Sequence, residues 1–275
     1  MDSTVPIGIF DSGYGGLTVL REIVSMLPEY DYYYLGDNAR SPYGTRTFST
    51  VYKYTRECVS WLFSKNCHLV ILACNTASAK ALRSIQQNDI VSIAPDRRVL
   101  GVIRPLTERA GTLTKNGHIG LLATNGTVRS DSYSIEIHKF FPHITLSQEP
   151  CPLWVPIVEN IELNNEGTEF FVKRHIAALL KKDPDIDTVI LGCTHYPLLE
   201  PLIRKSLPAH ILIVNQGRII AEQLKDYLQR HPEIEKKCSK KSKRLFFTTE
   251  SPEVFDTPAS RFYGINLHAQ QIEIS

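Results

Sequence analysis

Val70-Ile71-Leu72-Ala73-Cys74-Asn75-Thr76 returns 119 residues later as Val189-Ile190-Leu191-Gly192-Cys193-Thr194-His195: three aliphatic residues, a small residue, a cysteine and two polar residues. A short, unbroken apolar run of this kind reads as a strand buried on both faces. In open sheets of parallel strands, ligands gather at the carboxyl ends, which is where both cysteines fall. The spacing is about the length of one small domain, so the repeat predicts two related lobes that each present one cysteine. Lobes facing one another would place a thiol on either side of a bound molecule. One thiol would take a proton from a carbon and the other would return one to the opposite face, which predicts inversion at that carbon.

Free cysteine is among the most buried residue types, and a core role would account for either residue alone. A core cysteine, however, belongs inside the apolar run, whereas these two follow it. A helix starting just beyond each strand would turn backbone N–H groups and the positive end of its dipole toward the sulfur, favouring the thiolate. Residues 78–85 and 198–207 are the candidates for those helices. Groups tuned in this way concentrate at functional sites.

The 275 residues suffice for one large or two small domains with proper cores. A hydrophobic share of 43% with 22% charged residues is that of an ordinary soluble globular protein. No segment approaches the roughly 18 consecutive apolar residues of a membrane span. Met1-Asp2-Ser3-Thr4 lacks the basic and apolar regions of a signal peptide, so a cytoplasmic location is expected. Six cysteines, at 58, 67, 74, 151, 193 and 238, are too scattered for a disulfide framework and predict free thiols. No C-x-x-C or H-E-x-x-H pair occurs, so no metal site is expected. A net charge of +2 gives no field suited to nucleic acid. The basic cluster Lys236–Arg244 has no interleaved aromatics and reads as a solvated loop.

Short apolar runs alternate with longer amphipathic stretches, the pattern of a mostly parallel sheet wrapped by helices. Strands are predicted over 7–10, 32–35, 69–73, 99–103, 118–123, 189–191, 211–214 and 245–248, with helices over 17–26, 48–65, 129–140, 170–181 and 219–230. Ile119-Gly120-Leu121-Leu122-Ala123-Thr124 mirrors Ile7-Gly8-Ile9-Phe10-Asp11-Ser12, so each half has its own opening strand. The expected architecture is α/β with two pseudo-symmetric lobes, each a mostly parallel sheet flanked by helices, and an active site in the cleft between them. Residues 1–98 with 210–275 would form lobe one, and 99–209 lobe two.

Asp11-Ser12-Gly13-Tyr14-Gly15-Gly16 follows the first strand and precedes a helix, as a dinucleotide fingerprint would, and Asp37 sits where a ribose-binding acid belongs. The third glycine would fall at Thr18, and Asp11 would lie against a pyrophosphate. The loop better suits a ligand with an ammonium and a carboxylate: Asp11 accepts, while Ser12 and the glycine N–H groups donate. A simpler alternative is that Asp11-Ser12 caps the following helix.

Taken together, Asp11-Ser12-Gly13-x-Gly15-Gly16, Gly36-Asp37-x-Ala39-Arg40-x-Pro42-Tyr43-Gly44, Ala73-Cys74-Asn75-Thr76-Ala77 and Gly192-Cys193-Thr194-His195-Tyr196-Pro197-Leu198 resemble the glutamate racemases of the aspartate/glutamate racemase family. The resemblance runs nearly end to end, through Gly101-Val102-Ile103-x-Pro105, Thr124-x-x-Thr127-x-x-Ser130-x-x-Tyr133, Cys151-Pro152-Leu153 with Val158-Glu159, and Phe247-Thr248-Thr249. It implies a cofactor-independent racemase that supplies D-glutamate for peptidoglycan, with glutamate as its small-molecule partner and a homodimer as one assembly. By the same resemblance, Cys74 takes the α-proton of D-glutamate and Cys193 that of L-glutamate. Asp11 assists Cys74, His195 assists Cys193, and Asp37 and Glu159 match further acids of the site. Substrate contacts would come from Asp11, Ser12, Tyr43, Gly44, Asn75, Thr76, Thr124, Thr194 and His195. A lining of hydroxyls, amides and N–H groups fits a substrate with two carboxylates and one ammonium. An isolated histidine would ordinarily be a satisfied core or surface residue, but His195 stands two residues from a candidate base, which favours proton handling.

One departure from the family pattern is Asn215-Gln216-Gly217-Arg218, where an Asp-Ser-Gly-like turn is usual. Three alternatives stay open at this level: a racemase of a related amino acid such as aspartate, a nicotinamide-dependent oxidoreductase using the Gly13 loop, and a non-catalytic binding protein with a partner at Lys236–Arg244. Aspartate relatives tend to lack the histidine and the tyrosine-proline of Gly192–Pro197.

Overall fold

The computed structural model describes residues 5–274. Strands β1 (Ile7–Asp11), β2 (Tyr32–Gly36), β3 (Leu69–Leu72), β4 (Arg98–Gly101), β9 (Arg244–Thr248) and β10 (Ala269–Gln271) form a six-stranded sheet in the order β10-β9-β2-β1-β3-β4. A second sheet, ordered β6-β5-β7-β8, contains β5 (His118–Ala123), β6 (Thr145–Pro150), β7 (Thr188–Gly192) and β8 (Leu212–Val214). Every pairing is parallel. The chain is therefore α/β, two parallel-sheet domains flanked by helices.

Register brings the functional segments together. Asp11 pairs with Gly36 and Phe10 with Leu72, so the loops after β1, β2 and β3 leave the first sheet at one level. In the second sheet Ala123 pairs with both Gly192 and Pro150, so Thr124, Cys193 and Cys151 emerge side by side. The central strands β1, β3 and β7 are buried along their whole lengths, as their unbroken apolar runs require.

The flanking helices follow from periodicity and capping. Along α2 (Phe48–Ser64), Val51, Thr55, Cys58, Val59 and Leu62 repeat at helical spacing and are buried, while Thr47 caps the first turn by accepting from the Thr50 N–H. Helix α7 (Glu166–Lys182) is capped by Asn165 and carries Glu166 and Glu169 in its first turn, with Lys181 and Lys182 in its last, matching the helix dipole. Helix α1 (Gly16–Met26) packs against α8 (Gln216–Arg230) closely enough that a Cβ at Gly217 would lie 2.9 Å from Glu22 Cγ.

Several expectations shift. Strand β6 escaped the pattern because its side chains are largely polar and half-exposed and it ends at Pro150, as suits a sheet edge. Helix α9 (Pro252–Tyr263) was hidden by its internal Pro258. The stretch predicted as one helix over 129–140 is two, α4 (Asn125–Ser130) and α5 (Ser132–Phe140), broken at Asp131 with φ of 55°. Strand pairing also puts β4 in the first sheet and β8 in the second, so both crossings between sheets fall a few residues later than 98 and 210.

Candidate active site

Cys74 occupies the cap position of α3 (Asn75–Lys80), and its Sγ accepts from the Ala77 N–H at 3.4 Å. The Ser12 hydroxyl lies 3.4 Å from the same sulfur. These contacts favour the thiolate, yet burial, with the Asp11 carboxylate nearby, outweighs them and pushes the Cys74 thiol up to about 12. The helix start thus positions the sulfur, while desolvation, the larger effect, raises its hold on the proton. Asp11 is itself buried and its carboxyl is raised by burial, against the opposing pull of His195 and the Gly13 and Gly16 N–H groups. Gly13 N donates to Asp11 Oδ2 at 2.9 Å, so this loop N–H serves Asp11 and not a ligand.

Across the cleft, Cys193 Sγ lies 3.8 Å from His195 Nδ1, and His195 Nε2 lies 2.9 Å from a carboxylate oxygen of Glu159. Glu159 ends the short helix α6 (Trp154–Glu159). Burial opposes a charged imidazole here, but the contacts to Cys193 and Glu159 prevail and push His195 up to about 10. Where α3 starts directly after Cys74, the residues after Cys193 make a bend and then a 3₁₀ turn at Tyr196–Leu199. Its partner is an imidazole and not a helix start.

The glycine loop has a different purpose from phosphate binding. A Cβ at Gly15 would stand 2.3 Å from Thr194 Oγ1 and 2.4 Å from His195 Nδ1, so glycine lets the two sides of the cleft meet. Thr18 Oγ1 seals the contact by donating to the Thr194 carbonyl at 3.0 Å. Further along, Thr76 Oγ1 and Thr124 Oγ1 are 2.9 Å apart, Gly126 N donates to the Gly44 carbonyl at 2.9 Å, and Tyr133 donates to Asn75 Oδ1 at 2.8 Å.

These segments enclose a cavity of about 60 Å³ lined by Cys74 and Cys193 together with Ser12, Tyr43, Gly44, Asn75, Thr76, Thr124, Thr194 and His195. That volume suits a small molecule in place of a few waters and is far below what a dinucleotide needs. Among the described residues the lining holds no lysine or arginine, so anionic groups must be met chiefly by hydroxyls, amides and N–H groups. Ser41, Pro42, Thr45, Asn125, Pro152, Val155 and Pro156 also line it and were not anticipated. For Ser41, Pro42, Thr45, Asn125 and Pro152 the signal was adjacency to Tyr43-Gly44, Thr124 and Cys151, whereas Val155 and Pro156 sit on the short helix Trp154–Glu159.

Asp11, Asp37 and Glu159 do not line the cavity. Asp37 is fully buried behind Tyr43, accepting from the Tyr43 hydroxyl, from Arg40 Nε at 2.7 Å and from Thr249 Oγ1 at 2.9 Å. Its carboxylate is spent on holding the Tyr43 loop. The basic cluster is largely tied down: Ser239 Oγ and the N–H groups of Lys241 and Lys243 donate to Asp31, while Lys240 pairs with Glu235 and Lys237 with Asp96. At the variant turn, Asn215 Nδ2 donates to Glu200, and Gln216 is buried without a hydrogen-bond partner for its amide.

A family model for Asp/Glu/hydantoin racemases matches residues 7–224. The chain is 41% identical to the glutamate racemase of Persephonella marina, over 98% of this chain and 97% of that one. Among solved structures, a glutamate racemase isoform of Bacillus anthracis superposes with a TM-score of 0.89 at 35% identity, covering 98% of each chain. The glutamate racemase of Francisella tularensis in complex with D-glutamate does so with a TM-score of 0.86 at 30% identity, covering 100% of this chain and 99% of that one. Likeness to the aspartate racemase of Picrophilus torridus, 16% identical at a TM-score of 0.53, is one of fold alone. The chain belongs to the Asp/Glu/hydantoin racemase family and, within it, to the glutamate racemases.

Proposed function

We propose that the chain interconverts L- and D-glutamate by proton transfer between two thiols, supplying D-glutamate for peptidoglycan without a cofactor. The observation that carries this reading is that Cys74 and Cys193, from different sheets, line one small cavity. With L-glutamate bound, Cys193 takes the α-proton, leaving a carbanion, and the Cys74 thiol donates a proton to the other face. With D-glutamate the roles exchange, Cys74 acting as base and Cys193 as acid. His195, held by Glu159, assists Cys193, and Asp11 assists Cys74 through its charge and through the loop that carries Ser12. Ser12, Asn75, Thr76, Thr124 and Thr194 donate to the substrate carboxylates, and Gly44 with Tyr43 shapes the wall. Asp37 acts at one remove, by holding Tyr43.

The two lobes divide, on this reading, after Gly101 and after Val214. None of the described helices is long and apolar enough to cross a membrane. The six cysteines are free thiols, which supports a reducing compartment such as the cytoplasm. A homodimer is part of the proposal and is checked by sedimentation at working concentration.

The deciding experiment follows the circular dichroism of L-glutamate and of D-glutamate with purified protein, in EDTA throughout, with L-aspartate in parallel. Decay of both glutamate signals to zero is expected, with aspartate unchanged. A stable glutamate signal overturns the proposal. Activity that appears only when a metal is restored overturns its cofactor-free part.

A further inference from the structure

Asn75 lies at the mouth of α3, directly after Cys74, and lines the cavity. It is 2% exposed, and its Nδ2 is buried with no hydrogen-bond partner among the described residues. Its Oδ1, in contrast, accepts from the Tyr133 hydroxyl at 2.8 Å. Tyr133 comes from α5, on the other side of the cleft, and is itself fully buried, so burial keeps its phenol protonated well above neutral pH. Among the described residues that hydroxyl makes no other hydrogen bond, so Oδ1 of Asn75 is the acceptor for its proton.

That arrangement decides which way the amide faces. An Asn75 side chain turned by 180° would offer its NH₂ to the phenol oxygen, a weak acceptor, and would take from the fully buried Tyr133 hydroxyl the acceptor it now has, and an unmet buried donor is costly. With Oδ1 held by Tyr133, Nδ2 is left as a donor without a protein acceptor, in a wall where a carboxylate must be met without lysine or arginine. The contact spans the cleft, so the amide is set only when the two lobes are together. We propose that Tyr133 is a positioning residue for substrate: it fixes the Asn75 amide so that Nδ2 donates to a glutamate carboxylate. The proposal rests on the glutamate reading of the cavity and adds a specific source of its affinity.

The test uses Tyr133→Phe, Asn75→Ala, the double variant and Asn75→Asp, each with KM and kcat in both directions and the Kd for D-glutamate by calorimetry. Loss of one hydrogen bond that orients another is expected to raise KM and Kd by about tenfold in Tyr133→Phe, with kcat within a factor of about three. Because two enantiomers have an equilibrium constant of one, kcat/KM must fall equally in both directions. The double variant should be no worse than Asn75→Ala, since both act through one amide. Asn75→Asp keeps an acceptor for Tyr133 but has no NH₂ to offer, and should weaken binding at least as much as Asn75→Ala. An unchanged KM and Kd in Tyr133→Phe, losses that multiply in the double variant, or wild-type affinity in Asn75→Asp would each overturn the proposal. The Asn75→Asp result stands even where Tyr133→Phe fails to fold. A wild-type protein that binds glutamate but does not racemize it would sink the functional reading and leave the Kd comparison to judge Tyr133.

Discussion

His195 presents Nδ1 to the Cys193 sulfur at 3.8 Å while its Nε2 is held by Glu159, and Cys74 has no imidazole to match it. The sulfur of Cys74 is met instead by the Ser12 hydroxyl and the Ala77 N–H. The two thiols are thus equivalent in sequence pattern and unequal in proton chemistry. A repeated strand has been fitted with an imidazole at one sulfur and with a hydroxyl and a backbone N–H at the other.

That inequality is measurable as a direction-dependent isotope effect. General acid–base assistance is typically worth about 10²–10⁴-fold. Asp11→Asn should slow proton abstraction from D-glutamate most, and His195→Asn abstraction from L-glutamate. Initial rates with α-deuterated substrates should show a larger primary isotope effect for D-glutamate in the first variant and for L-glutamate in the second. Equal changes in both directions for both variants would remove the assignment of a face to each thiol.

Both thiols are needed in every turnover, so Cys74→Ala and Cys193→Ala should each abolish racemization in both directions. Alanine at Cys58, Cys67, Cys151 or Cys238 should cost stability through lost packing but leave the rate per folded molecule within a few-fold, because none of these four lines the cavity. Near-normal turnover in either of the first two variants refutes the two-thiol mechanism.

The His195 imidazole also links stability to pH. Its folded value is pushed up from the usual 6.5 to about 10, so the stability it contributes is complete below pH 6.5 and is lost as pH rises toward 10. Urea unfolding of the wild type and of His195→Gln should therefore differ most near pH 6 and converge by about pH 10, the change being on the order of a few kcal/mol. A difference that stays constant across this range would mean that the imidazole is neutral in the folded protein.

Gly15→Ala tests the close approach across the cleft. The backbone at Gly15 has a φ of −57°, which alanine adopts without strain, so the penalty comes from the contacts with Thr194 and His195 alone. Displacing that pair should lower kcat/KM by about 10²-fold while the far-ultraviolet circular dichroism stays that of the wild type. Wild-type kinetics would show that the cleft opens at this point during turnover.

Most of the architecture was legible because its signals are local. Val70–Leu72 and Val189–Leu191 announce buried parallel strands by composition alone, and the residues just after them fall at strand ends whatever else the chain does. Asn75, Thr76, Thr194 and His195 come directly after the cysteines that end those strands, whereas Tyr43, Gly44 and Thr124 were named through the resemblance to a known family, as was the substrate-contact role of the whole set, Ser12 included. Strand β6 and helix α9 were missed because polar edge residues and an internal proline disguise their periods.

The sequence by itself therefore determined two α/β units, a cysteine at the end of a central strand in each, and a neighbourhood rich in hydroxyls. Only the tertiary structure decided that Glu159 holds His195, that Tyr133 turns the Asn75 amide, that Asp37 serves Tyr43 and not the cavity, and that burial raises the Cys74 thiol. The physical reason is range. Periodicity and capping act over a few residues, whereas a side chain's partner and its loss of water are set by which distant strands the sheet makes neighbours, and desolvation then outweighs the local contacts that a sequence can foretell.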